Sequence, residues 1–426
     1  MRHSRREFLR AGSASVAAAA LGGIGGCASL PDKGPKVVVI GGGFAGATAA
    51  KYVRKWSDGR IAVTLVERGT AFVSCPLSNL VLGGSRQIAD LTVSYDGLDK
   101  WGVRRVTDEA LAIDPLARTV RLSSGATLLY DRLILAPGID FIWDTIPALA
   151  SSAAQEKVLH AWKAGAQTIA LRRQLEAMPD GGVFVMHVPK APYRCPPGPY
   201  ERACQVAAYF SKQKKKSKVI VLDANDDVVS KKGLFTAAWN GRYKGFVEYR
   251  PNSGLIDVDV ATLTVKLDFD NVRADVLNVI PPQHAGAIAR ALGMANANGR
   301  FCQVEFLSYE STAQRNIHIV GDAIQNAQLM PKSGHMANQH GKVCAAAVVA
   351  LLTGGEVNQT PVIANTCYSY IDDKEAAHVA SVHRYDAEKK TMSVVAGSGG
   401  LSPGPSMEEA VYADAWARNI WADMLA

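Results

Sequence analysis

Lys36-Val-Val-Val-Ile-Gly-Gly-Gly-Phe-Ala-Gly46 decides the fold of this chain. Lys36 to Ile40 is a short, β-branched apolar run without polar alternation, as in a strand buried on both faces of a parallel sheet. Gly41, Gly43 and Gly46 follow in the spacing G-x-G-x-x-G, and a helical stretch runs on through Arg54. A second strand, Ile61 to Val66, ends on Glu67, 21 residues past Gly46. Gly41 permits the tight turn, Gly43 lets the backbone approach a pyrophosphate, and Gly46 allows close packing of helix on strand. The helix N-terminus offers unpaired N–H groups and the positive end of its dipole to phosphate. Glu67 is placed to accept hydrogen bonds from ribose hydroxyls. Strand, glycine loop, helix, strand and acid in this order predict a dinucleotide-binding βαβ unit.

Two distant segments identify the dinucleotide. Leu133-Ile-Leu-Ala-Pro-Gly138 reads as a strand running into a tight turn, and Ile317-His-Ile-Val-Gly-Asp-Ala323 as a strand ending in Gly-Asp. That pairing is the layout of flavoproteins with two dinucleotide domains, so the expected cofactor is FAD. In that fold Asp322 contacts the ribityl chain, and the next helix aims its N-terminus at the flavin ring. The distance between the segments implies a discontinuous FAD domain, 36–150 and 300–359, with a second domain, 151–299, inserted. The insert begins as a nucleotide domain would: strand Gly182 to Val188, helix Tyr200 to Ser211, strand Val219 to Leu222 ending on Asp223. In place of its glycine loop stands Pro189-Lys-Ala-Pro-Tyr-Arg-Cys-Pro-Pro-Gly-Pro199. Prolines lack an N–H, so this loop is a poor pyrophosphate cradle. A Rossmann-like scaffold without an NAD(P)H site is expected. Residues 360–426 form a C-terminal α+β domain, with strands Val379 to Tyr385 and Thr391 to Val395 and a helix from about Ser406. Trp416, Ile420, Trp421 and Met424 recur at helical spacing, a stripe expected to pack on the body. The fold class is therefore α/β, with two Rossmann-like domains and this C-terminal unit.

Composition sets the remaining bounds. The 426 residues are 48% hydrophobic and 20% charged, ordinary for a globular protein, and no stretch after the N-terminus is apolar enough to span a bilayer. The net charge of +8 is mild, and the Lys212 to Lys218 cluster reads as a solvated loop without a nucleic-acid pattern. Arg5 and Arg6 in Ser-Arg-Arg-Glu-Phe-Leu-Arg, followed by an Ala- and Gly-rich stretch from Ala11 to Gly26, match a twin-arginine export signal over residues 1–30. That signal predicts a periplasmic protein exported already folded, with Cys27 a candidate lipid anchor. Six cysteines remain, with no Cys-x-x-Cys and no metal-ligand spacing, so neither a metal site nor a haem of its own is expected. Cys204, Cys302 and Cys344 lie in periodic patterns and read as core residues. Cys75, eight residues past Glu67, sits on a loop that can reach a flavin ring. Cys195 and Cys367 fall in Pro- or Thr-flanked segments read as irregular loops. From the residues alone they are inert thiols, a structural disulfide or a redox pair.

Three strings carry a resemblance: Ser74-Cys-Pro-Leu-Ser-Asn79, Arg194-Cys-Pro-Pro-Gly-Pro-Tyr-Glu201 and Asn365-Thr-Cys-Tyr368. From signal to C-terminus the chain resembles the flavoprotein subunit of flavocytochrome c sulfide dehydrogenase, a disulfide-reductase-like family related to sulfide:quinone oxidoreductases. The resemblance implies that Cys75 is bonded to FAD as an 8α-S-cysteinyl thioether. It implies that Cys195 and Cys367 form a redox-active disulfide beside the flavin, and that Glu201 is a proton-transfer group near them. Sulfide would be the substrate and a separate periplasmic c-type cytochrome the partner. HS⁻ would open the disulfide to a persulfide and a thiolate, and two electrons would pass to the flavin. Lys332, expected at the start of the helix after Gly321-Asp322, would offset charge on reduced flavin or else be an ordinary exposed lysine. Pro76 stands where the family often has an aromatic or apolar residue and stiffens that loop. The competing readings are a sulfide:quinone oxidoreductase, an NAD(P)H-dependent disulfide reductase and a non-catalytic flavoprotein accessory to a sulfur-oxidising complex.

Overall fold

Residues 34–426 are described by a computed structural model; the twin-arginine segment with Arg5 and Arg6, and Cys27, lie outside them. β1 (Lys36–Ile40), α1 (Phe44–Trp56), β2 (Ala62–Glu67), β3 (Val103–Thr107) and β4 (Arg132–Leu135) come first. The inserted segment supplies β5 (Val183–Val188), α2 (Gly198–Gln213), β6 (Lys218–Asp223), α3 (Lys232–Asn240), β7 (Val247–Arg250) and β8 (Val276–Val279). The chain then returns through β9 (Ile317–Ile319) and α4 (Gly334–Thr353). It ends in β10 (Val362–Tyr370), β11 (Ala376–Asp386), β12 (Thr391–Leu401) and α5 (Met407–Leu425).

The first sheet runs β9-β4-β1-β2-β3 in parallel, with the short antiparallel strands Val304–Glu305 and Glu310–Ser311 added beyond β9. Val37, Val38 and Val39 are each at most 2% exposed, which is why β1 shows no alternation: both faces are covered. The glycine loop therefore opens at the C-terminal edge of the central strand, where open α/β sheets bind ligands. The second sheet, β7-β6-β5-β8, is also parallel and is built wholly from the insert. So the first sheet takes its strands from both sides of the insert, as the two distant flavin segments require.

The C-terminal unit departs from expectation. Its sheet is an antiparallel triplet, β10-β11-β12, and its first strand carries Cys367 paired with Val379. Cys367 is thus a mid-strand residue and not a loop residue. The strand escapes a periodicity reading because Asn365, Thr366, Cys367 and Ser369 put polar groups on both of its faces. On α5, Ile420 and Met424 are buried as the stripe predicts, whereas Trp416 turns toward the cavity described below. The far end of α5 is fastened by Lys51, whose Nζ donates to the carbonyls of Asp423 (2.8 Å) and Ala426 (2.5 Å).

Candidate active site

A cavity of about 410 Å³ lies where the FAD-type sheet, the insert and β10 meet. Gly43, Glu67, Cys75, Cys195, Glu201, Asp322, Lys332 and Cys367, eight of the residues singled out from sequence, line it together. Gly41 and Gly46 stand just behind. Gly41 has φ +98 and donates its N–H to the Val66 carbonyl at 2.9 Å, closing the turn. A Cβ on Gly46 would lie 1.8 Å from the Gly41 carbonyl oxygen, whereas one on Gly43 would meet nothing within 4 Å, because that face opens to the cavity. Open backbone at Gly43 beside the first turn of α1 is what a pyrophosphate requires, so this wall fits a dinucleotide. Glu67 faces the same space while its two oxygens accept from Gly42 N (2.6 Å) and Gly69 N (2.9 Å). Each oxygen keeps a further lone pair for a ribose hydroxyl.

Lys332 corrects the sequence reading twice. The helix starts at Gly334 with Ser333 as its N-cap, so Lys332 precedes the helix, and it is buried at 6% exposed. Its Nζ donates to the carbonyls of Asp322 (3.0 Å) and Ile324 (2.5 Å) and to Asn326 Oδ1 (3.3 Å). The ammonium is thus committed to holding the Gly-Asp turn, and burial lowers its pKa to about 7. The Lys332 carbonyl in turn accepts from Cys195 N at 2.7 Å, which ties the proline-rich loop to the first domain.

Cys195 sits in the left-handed region, φ 56, at the mouth of α2. A Cβ on Gly198 would come within 3.0 Å of its Sγ, so glycine there makes room for the thiol. Its side chain opens into the cavity, yet the surrounding protein pushes the thiol pKa far up, with the charges of Cys367 and Glu201 adding to the burial. Cys367 lines the same space from β10. Both are free thiols here, with no bond between them. Glu201, in the first turn of α2, accepts from Asn79 Nδ2 and from Tyr370 N, each at 2.9 Å. Burial raises its pKa, and these two hydrogen bonds oppose the rise.

Several site groups went unread in the sequence. Arg194 Nη2 lies 3.0 Å from Cys75 Sγ. Arg202, 2% exposed, gathers Asn79 Oδ1, Asn278 Oδ1 and the carbonyls of His160 and Ala161 at 2.7–3.1 Å. Lys231 is buried behind Cys367, whereas its neighbour Lys232 pairs with Asp227 at the surface. Arg194 and Asn79 stood inside the quoted strings, but nothing local tells which side they face. Cys204, Cys302 and Cys344 are fully buried, as read. Asp223, at the β6 end where a second dinucleotide's ribose would sit, is fully buried. It accepts from Tyr200 Oη (2.8 Å), Tyr249 Oη (3.0 Å) and both nitrogens of Asn225. Among the described residues no group of His, Cys, Asp and Glu could hold a metal.

Comparison with known proteins agrees with this layout. The family profile for sulfide dehydrogenase (flavocytochrome c) flavoprotein chain, central, matches residues 168–281. That for flavocytochrome c sulphide dehydrogenase, flavin-binding, matches 359–425, and that for pyridine nucleotide-disulphide oxidoreductase matches 35–177. The sulfide dehydrogenase (flavocytochrome c) flavoprotein chain of Chlorobaculum thiosulfatiphilum is 65% identical over 46 residues, 11% of this chain and 94% of that one. The mitochondrial sulfide:quinone oxidoreductase of Mus musculus is 22% identical over 312 residues, 67% of this chain and 65% of that one. Among solved structures, sulfide:quinone oxidoreductase from Aquifex aeolicus shares the fold with a TM-score of 0.74 at 18% identity. It covers 92% of this chain and 91% of its own.

Proposed function

The chain belongs to the flavocytochrome c sulfide dehydrogenase flavoprotein family, and from that premise we propose that it oxidises sulfide outside the cytoplasm and passes the electrons to a separate c-type cytochrome. One observation carries the reading: Cys195, Cys367 and Glu201 face the same cavity as the dinucleotide loop. Gly43, Glu67 and Asp322 would hold FAD there. FAD, when bound, supplies a two-electron acceptor that releases electrons singly. Cys75 lines the same cavity, its Sγ 3.0 Å from Arg194 Nη2, and is the proposed point of covalent attachment.

In this reading Cys195 and Cys367 form a disulfide in the resting enzyme. HS⁻ breaks that bond, one cysteine takes the incoming sulfur as a persulfide, and the other leaves as a thiolate. Glu201, held at both oxygens, takes the proton lost from H₂S. Trp162 and Trp416 wall the space and limit water at the reacting sulfurs. The family's own name supports a cytochrome as acceptor; with no Cys-x-x-Cys-His in this sequence, its c-type haem would sit on a separate chain. NAD(P)H is disfavoured as donor because Tyr200, Tyr249 and Asn225 already consume the acid at β6. The twin-arginine motif at Arg5 and Arg6 supports export, with Cys27 available for lipidation. The likeness to sulfide:quinone oxidoreductases favours quinone as the second candidate acceptor.

The test is an anaerobic titration of the flavin-loaded protein, following the oxidised flavin absorbance. Sulfide alone should bleach it, NADH should not, and Cys195→Ser or Cys367→Ser should abolish the bleaching. Flavin should stay with acid-precipitated wild type and leave Cys75→Ser. Reoxidation by cytochrome c but not by a soluble quinone would assign the acceptor. Bleaching by NADH, or by neither donor, would sink the sulfide reading.

A further inference from the structure

Lys231 is among the buried charges that the sulfide reaction described above leaves unused. Lys231 is 5% exposed and adopts φ 55 immediately before α3, a conformation that residues with a Cβ rarely hold without compensation. Its Nζ donates to the Cys367 carbonyl (2.7 Å), Ser369 Oγ (2.8 Å) and the Ala377 carbonyl (3.3 Å). All three acceptors are neutral. An ammonium buried among neutral groups is costly unless a counter-charge arrives.

The groups near it that carry a negative charge when ionised are, in order of effect, Cys367, Glu201, Cys195 and Glu409. Glu409, on α5, is engaged by His378 Nδ1 at 2.8 Å, and Glu201 is held by Asn79 and Tyr370. Arg202, held by two asparagines and two carbonyls, and Arg194, beside Cys75, are the cations on the Cys195 side of the pair. Lys231 is the cation fixed to the Cys367 side, with Cys367 ahead of Glu201 among its opposite-charge neighbours.

We propose that Lys231 is the counter-charge to the sulfur anion formed when sulfide opens the Cys195–Cys367 bond. This rests on the disulfide reading above. In that step the Cys–Cys bond breaks, a new S–S bond joins the incoming sulfur to one cysteine, and the bonding pair leaves on the other as a thiolate. No electron leaves the site and no other reactant is needed. The single negative charge carried in by HS⁻ is now enclosed on the pair, whichever sulfur was attacked. Lys231, fixed to the backbone of the strand bearing Cys367, stabilises that charge without touching the substrate. It is a positioning residue for the anion, and burial lowers its pKa to about 8, so its own charge persists only below that pH.

The experiment compares full-length, flavin-loaded wild type with Lys231→Met and Lys231→Arg. The first readout needs no flavin chemistry: the pH dependence of iodoacetamide labelling of the anaerobically reduced pair, scored on the Cys195 and Cys367 peptides. Lys231→Met should raise the labelling midpoint by about one pH unit or more, and Lys231→Arg should restore it. The second is the rate of flavin bleaching at fixed HS⁻ concentration. The wild-type rate should fall as pH rises through about 8, while the Arg variant, whose charge does not titrate there, should hold its rate. If Lys231→Met does not fold, the wild-type and Arg profiles decide alone. An unchanged midpoint in folded Lys231→Met, or a wild-type rate flat through that range, overturns the proposal and leaves the sulfide reading standing. Bleaching that survives Cys195→Ser and Cys367→Ser overturns both.

Discussion

Glu201 shows how single residues set the working pH of this site. Its place in the first turn of α2 favours a negative charge, yet burial raises its pKa, and the Tyr370 N–H and the Asn79 amide oppose that, with the charges of Lys231 and Arg202 helping. If ionised Glu201 accepts the proton of H₂S, the rate of flavin bleaching falls as pH drops through the Glu201 pKa. Asn79→Leu deletes one of the two donors, so the acid limb should move up by about 1 pH unit. The same change leaves Arg202 Nε without its Asn79 partner, a cost of roughly 1–3 kcal/mol. The profile should therefore be read well below the variant's melting temperature. An acid limb that stays put in folded Asn79→Leu would remove Glu201 from the proton step. The cysteines and Glu201 were legible because unusual strings surround them. Asn79 and Lys231 were not, because each acts on a segment more than 100 residues away, a relation that no local pattern encodes.

Among elements, the contrast between β1-α1-β2 and β10 shows what periodicity can reach. The first unit is legible to within two residues because a buried parallel strand and a glycine turn are locally constrained. β10 was missed because its strand character comes from register with β11, a non-local pairing over polar residues. Gly341 poses the same difficulty. Glycine in a helix interior is ordinarily a weak point. In the fold a Cβ there would lie 2.5 Å from the Ala45 carbonyl and 3.1 Å from Thr48 Cβ, so glycine is what lets α4 lie against α1. Gly341→Ala gains about 1 kcal/mol of helix propensity, but separating the two helices costs roughly 1–3 kcal/mol. The net change should be a modest loss of stability. The larger effect should be on flavin content, because a displaced α1 moves the N-terminus that faces the pyrophosphate. Absorbance ratios after purification and a thermal melt check this. Gly355→Ala, where a Cβ meets only ordinary contacts, is the control. Full flavin occupancy in Gly341→Ala would show that the contact between α1 and α4 does not govern the site.

Across the whole molecule, buried histidines couple both nucleotide-type units to pH. His187 on β5 and His318 on β9 are held near 4, and His160 and His340 near 3, in each case chiefly by burial. Unfolded histidine titrates near 6.5. Their folded values are depressed, so the unfolded chain binds more protons. The stability they contribute is complete above about 6.5 and is lost as pH falls toward the folded values. Each histidine accounts for about 1.4 kcal/mol per pH unit inside that window. Four acting together approach roughly 5 kcal/mol per unit, comparable to the low end of a typical folding free energy. Glu201 opposes them, since its raised pKa favours the protonated folded state as pH falls, but it supplies one proton against four. The melting temperature should therefore drop steeply between about pH 6.5 and 4.5. His340 isolates the cause. Both of its ring nitrogens are unpaired, and its ring lies 4.8 Å from that of Tyr309, so an aromatic replacement loses no hydrogen bond. His340→Phe should melt no lower than wild type at pH 7, since it removes an unsatisfied buried polar group. It should also flatten the acid slope by at most about a quarter, since burial depresses His284, His335 and His383 as well. A slope unchanged in His340→Phe would mean that His340 is already charged in the folded protein, and that carboxylates drive the acid transition instead.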